Sequence, residues 1–121
     1  MRGKKKRSIE GFSRQRADKT VRYLQERAVV FLEVGRRLRA EGRFDIAAFN
    51  IEQFCQLHLK YRIASKLGDF AKTHSLPVLL LEYGGAYGRR ERVSRFIQQH
   101  EAVLRDLEQA YIGTRYVPLE Y

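Results

Sequence analysis

Proline is almost absent from this chain. The first of its two prolines is Pro77, so nothing before that point carries the residue that most reliably breaks a helix. Long uninterrupted helices are the economical expectation, and the apolar spacing agrees. Leu24, Ala28, Phe31, Gly35 and Leu38 step by three and four residues, which puts them on one face of a helix over about 17–40. Glu41-Gly42-Arg43 reads as a stop with Gly42 near the C-cap. A second helix starts at about Phe44, and so short a link folds the two into an antiparallel hairpin.

The second helix carries Ala47, Ala48, Ile51, Phe54, Cys55, Leu59 and Ile63, an apolar band wide enough to touch more than one neighbour, so it is expected at the centre. Thr73 or Ser75 can cap a short third helix, Pro77 suits its first turn, and Gly84-Gly85 is expected to end it after about Tyr83. Leu76, Leu79, Leu80 and Tyr83 would face inward. A fourth helix is expected from about Arg89 to Tyr111, with Val93, Phe96, Ile97, Val103, Leu104 and Leu107 in register. No stretch alternates as a strand does. The expected fold is all-α, an antiparallel up-and-down four-helix bundle with one short member.

A hydrophobic share of 44% over 121 residues suffices for one modest core in one domain. The formal net charge of +10 is uneven: residues 1–27 hold ten Lys and Arg against three acids. Residues 1–16 are therefore read as a basic flexible arm, and 17–121 as the helical domain. Lys4, Lys5, Lys6 and Arg7 suit salt-sensitive contacts with nucleic-acid phosphates, and equally a solubilising tail.

No apolar run reaches the roughly 18 residues of a membrane span, and polar Ser8-Ile9-Glu10 follows the basic start where a signal peptide needs an apolar core. A cytoplasmic protein is expected. The single cysteine, Cys55, excludes an internal disulfide and, with three scattered histidines, offers no zinc spacing, so neither metal nor cofactor is expected. Gly84-Gly85-Ala86-Tyr87-Gly88 lacks the Lys-Ser/Thr of a phosphate-binding loop, and no Ser-His-Asp order is present.

Four short signals in order resemble the HEPN family. They are the turn Gly42-Arg43-Phe44-Asp45; the helix Phe49 to Lys60, in which Gln53 and Lys60 match the family pattern and Gln56 stands where Glu is usual; Thr73-His74-Ser75-Leu76-Pro77-Val78-Leu79-Leu80; and Tyr111-Ile112-Gly113-Thr114-Arg115-Tyr116. The resemblance covers nearly all of the chain after about residue 22. Val117 is inserted before Pro118, and the further helix common in relatives is missing after Tyr121. Such a bundle would leave apolar surface on its first and fourth helices: either a partner covers it or the chain is truncated.

The resemblance implies one of two roles: an accessory subunit of a minimal nucleotidyltransferase, in a pair like a toxin and its antitoxin, or a dimeric ribonuclease toxin. A purely structural interaction module stands as a third reading. HEPN ribonucleases use an Arg-x(4–6)-His motif, in which Arg stabilises phosphate charge and His moves a proton. Arg95-Phe96-Ile97-Gln98-Gln99-His100 matches it, although in a continuous helix side chains five apart project roughly 140° from each other. His100 also falls in the apolar register, where a core or interface histidine is the ordinary role.

Arg115, where the resemblance puts the ribonuclease arginine, has no histidine after it. It suits gripping a phosphate, with Tyr116 stacking on a base, or else a structural pairing near the bundle end. His74, at a helix start, is an anion contact or a plain cap. Gln53 and Lys60 share a helix face with Gln56 between them, a line that is either ligand-facing or merely solvated. His58 is expected to pack. The favoured reading is a non-catalytic accessory subunit, homodimeric and paired with a nucleotidyltransferase, binding nucleotide or RNA through Gln53, Lys60, His74, Arg115, Tyr116 and the arm; the alternative is a ribonuclease toxin with a composite site at the dimer interface, Arg95 or Arg115 of one protomer meeting His100 or His74 of the other.

Overall fold

The structure, a computed structural model, describes the backbone of residues 2–116 and side chains over 18–110. Five helices follow one another: α1 Arg2–Ala40, α2 Phe44–Leu67, α3 Leu76–Ala86, α4 Arg90–Gln99 and α5 Glu101–Tyr116. The all-α class is as expected, and the described residues contain no strand. α2 is the hub: α1, α3 and α5 pack on it, and α4 packs on α3.

The α1–α2 hairpin has the expected face. Leu24 and Ala28 are buried, as is Gly35, where a side chain would meet Ile51 Cδ1 at 2.7 Å. Gly35 thus lets the two helices approach closely. The hairpin turns where Gly42 takes a positive φ of 77°, while Arg43 N–H donates to the Leu38 carbonyl at 2.9 Å. That is a left-handed glycine terminus, which costs least without a Cβ. α1 begins at Arg2 rather than near residue 17 and so includes the basic stretch; its lysines, arginines and glutamines are good helix formers, and no proline intervenes.

α3 begins as expected: Ser75 Oγ accepts from Val78 N–H at 3.3 Å, and Pro77 lies in the first turn. Leu76 and Leu79 are 1% and 0% exposed and, with Ile63 of α2, form the tightest part of the core. Fully burying such a side chain is worth roughly 1.5–3 kcal/mol. α3 does not end at Gly84-Gly85 but runs to Ala86. Glycine weakens a helix interior without forbidding it, and Gly84 is buried against Val93, whose Cγ2 would lie 3.0 Å from an added Cβ. The stop comes at Gly88, φ 67°, with Arg89 N–H donating to the Gly84 carbonyl at 2.7 Å.

The single fourth helix expected over 89–111 is two helices, broken at His100, whose φ of −117° and ψ of 23° leave the helical range. Neither glycine nor proline marks the break. Val93 and Leu104 are buried, while Phe96 and Val103, expected inward, are 45% and 57% exposed. His100, expected in the core or an interface, is exposed.

Replacing Gly35 by Leu should lower stability by about 1–3 kcal/mol through overpacking against Ile51, as read by urea unfolding. Gly35→Ala should cost less, because alanine regains about 1 kcal/mol of helix propensity.

Candidate functional site

The least expected residue in the core is an acid. Glu52 has no solvent exposure. It stands seven and eleven residues before Leu59 and Ile63, hence within about 20° of them around the helix, on the face that carries Ile63 of the core. Burying a carboxylate is costly unless it is hydrogen-bonded. Both its oxygens are: Oε1 accepts from Gln56 Nε2, and Oε2 from Gln53 Nε2 at 2.9 Å. Burial is the main force pushing the Glu52 carboxyl above the usual carboxylate range, and Glu108 of α5 adds to it. The two glutamine amides and Lys60 pull the other way.

Gln56, 3% exposed, carries this network across to the segment before α3. Its Nε2 donates also to the His74 backbone carbonyl at 3.0 Å, and its Oε1 lies 3.1 Å from His74 Nδ1. A glutamine amide has two hydrogens, and both are spent on oxygens. Its own oxygen therefore accepts, and His74 Nδ1 is the donor. Thr73 Oγ1 accepts from Ser75 N–H at 3.1 Å, and Glu82 of α3 accepts from Ala71 N–H at 2.9 Å. Thr73-His74-Ser75 is thus a capped turn tied to the middle of α2.

The structure therefore joins Gln53 and His74, through Glu52 and Gln56, into one hydrogen-bonded set. Lys60 lies apart on α2 with its ammonium 5.6 Å from the centre of the Phe70 ring, and burial lowers it below the usual lysine range. The backbone of Arg115 and Tyr116 closes α5; their side chains, and those of Lys4, Lys5, Lys6 and Arg7, lie outside the described residues.

Arg95 and His100 share no hydrogen bond with the set. His100 instead places its ring 4.5 Å from Phe96. His58, expected to pack, is exposed at the residue level, yet its ring stacks 5.4 Å from Phe54 and lies 5.9 Å from Tyr61. Burial, then Arg62, lowers its pKa. Burial and then Glu52 push the Cys55 thiol up to about 11, as suits an inert apolar role. No group of three His, Cys, Asp or Glu side chains among the described residues is placed to hold a metal ion. No described helix is long and apolar enough to cross a membrane.

Sequence reasoning missed Glu52. It followed the polar line Gln53, Gln56 and Lys60, although an acid in register with Leu59 and Ile63 was visible as the misfit. It also passed over Arg89, Arg90 and Arg92, which with Arg95 surround an open cleft at the α3–α4 turn.

The sequence model of the family described as HEPN domain matches residues 21–121. No curated protein and no solved structure matches the chain.

Gln56→Leu would leave Glu52, the His74 carbonyl and His74 Nδ1 without this partner. It should cost at least about 1–3 kcal/mol in thermal or urea unfolding, the penalty of one buried polar group left unsatisfied. Glu52 also gives a pH signature. Its folded pKa is raised, so its protonated form is favoured on folding; that stabilisation is full below its ordinary 4.5 and is lost as pH rises through the folded pKa. The stability of the wild type relative to Glu52→Gln should therefore fall as pH rises above 4.5. A difference that rises or stays flat contradicts the assignment.

Proposed function

Since the chain belongs to the HEPN domain family, we propose that it is a non-catalytic accessory subunit that binds nucleotide or RNA and pairs with a minimal nucleotidyltransferase. One observation carries this reading: polar residues of its signature helix and of its Thr73-His74-Ser75 turn are hydrogen-bonded to one another. In this set His74 Nδ1 donates to Gln56 Oε1 and the Glu52 oxygens accept from two amides, which fixes the turn to the hub helix. The arrangement suits holding a surface in place. Ligand contacts then come from basic groups: Lys60, Arg115 with Tyr116 beside it, and the arm Lys4, Lys5, Lys6 and Arg7. A homodimer is the expected assembly, since Val29, Val30, Val103 and other large apolar side chains remain exposed.

The ribonuclease alternative rests on Arg95 and His100, which are both exposed and lie at opposite ends of a half-helix. Single-stranded RNA incubated with the protein in the presence of EDTA separates the readings. The accessory reading expects no cleavage above background by the wild type. Cleavage that falls by roughly 10²-fold or more in His100→Ala overturns it in favour of the ribonuclease. Co-expression with a minimal nucleotidyltransferase from the same genome should give a single complex on size exclusion, and separate elution from every such enzyme argues against the pairing.

A further inference from the structure

The turn from α3 into α4 gathers positive charge that no ion pair among the described residues engages. Arg89, Arg90, Arg92 and Arg95 surround a cleft of about 490 Å³, with Glu91 the one acid on its wall. All four arginines are exposed. The ion pairs among the described residues are Arg43 with Glu41 and Arg105 with Glu101, so none of these four guanidiniums is paired. Even Glu91, one helical turn before Arg95, does not reach it. Arg92 and Arg95 lie one turn apart on α4, with Cβ atoms roughly 5–6 Å apart, and Arg89 at the non-helical N-cap extends this ridge along the same cleft. Arg90 turns back toward α3, its Nε 3.4 Å from where a Cβ on Gly85 would stand.

An aromatic surface continues from this ridge. Phe96 is one turn beyond Arg92, is 45% exposed, and carries the His100 ring against it at 4.5 Å. Guanidiniums that track phosphates, followed by exposed rings that offer a face to a base, are the two components by which proteins hold single strands. Duplex needs only the first, because its bases are already stacked on one another. A small free anion needs neither the length of the ridge nor the rings.

We propose that the Arg89–Arg92–Arg95 ridge and the Phe96–His100 ring pair form a binding track for single-stranded nucleic acid, in which the arginines grip successive phosphates and Phe96 stacks on a base. This track rests on the nucleic-acid-binding reading above and gives it a site separate from Arg115 and the arm. It makes Arg95 and His100 binding groups.

Fluorescence anisotropy with a labelled 12-nucleotide RNA, the same sequence as DNA, and its duplex tests the track across a salt series. For single strands, log K falls with log salt by about 0.7 per phosphate contact. The triple variant Arg89→Gln, Arg92→Gln, Arg95→Gln should therefore bind weakly, with a slope shallower by about 2. Phe96→Ser should weaken single-strand binding roughly tenfold, leave the slope unchanged, and spare duplex binding. All four positions are exposed, so thermal unfolding should stay close to wild type. RNA and DNA single strands bound alike support the track as drawn, and a preference for RNA adds a contact to the sugar.

If the wild type binds but the triple variant binds equally with the same slope, the track is wrong while nucleic-acid association stands, carried by the arm or Arg115. Absence of wild-type binding at low salt overturns both. If Phe96→Ser converts a dimer to a monomer without changing RNA affinity, the rings are a subunit contact and the stacking role fails.

Discussion

The burial of one carboxylate organises this molecule. Glu52 sits in the middle of α2, the helix against which α1, α3 and α5 all pack, and no water reaches it. A buried charge persists in a fold only when its lone pairs are met, and here Gln53 and Gln56 meet them from the same helix. The requirement then propagates. Once Gln56 is turned toward Glu52, its remaining hydrogen and its oxygen point at the His74 carbonyl and ring, and the segment before α3 is fixed to the hub.

That fixed segment sets the geometry of the next two helices. Ser75 caps α3, Leu76 and Leu79 drop into the core beside Ile63, and α3 is held at a set height along α2. Its far end is tied down by Tyr87, whose hydroxyl donates to the Arg62 carbonyl at 2.6 Å beneath the Arg62 and Lys66 cations. Gly84 then lets Val93 of α4 close on α3, and the turn at Gly88 presents the arginines outward. A polar group in the centre thus helps to position a charged surface at the rim.

Much of this was legible in the sequence because it obeys local rules. The apolar steps of α1, the Gly42 stop, the start of α2 and the Ser75-Pro77 start of α3 are each written within a few residues, and each is where it was expected. The failures share a cause. Gly84-Gly85 looked like a helix end because glycine usually marks one, yet here it serves the approach of Val93, a tertiary contact. The break at His100 has no marker residue, and the inward face was drawn wide enough to take in Phe96 and Val103, which are exposed. Glu52 was overlooked because its partners were read as a ligand-facing or solvated line of their own, and only the packing of α3 and α5 on α2 reveals it as interior.

The claim that the Glu52, Gln56 and His74 set is a structural joint is tested most directly by a double-mutant cycle between Gln56→Leu and His74→Leu, read by urea unfolding at neutral pH. Two residues in one hydrogen-bonded network should show a coupling energy of about 0.5–3 kcal/mol, the double variant losing less than the sum of the singles. Strictly additive losses would contradict the account, for they would mean that the amide of Gln56 and the ring of His74 act independently, leaving the turn before α3 anchored by something else.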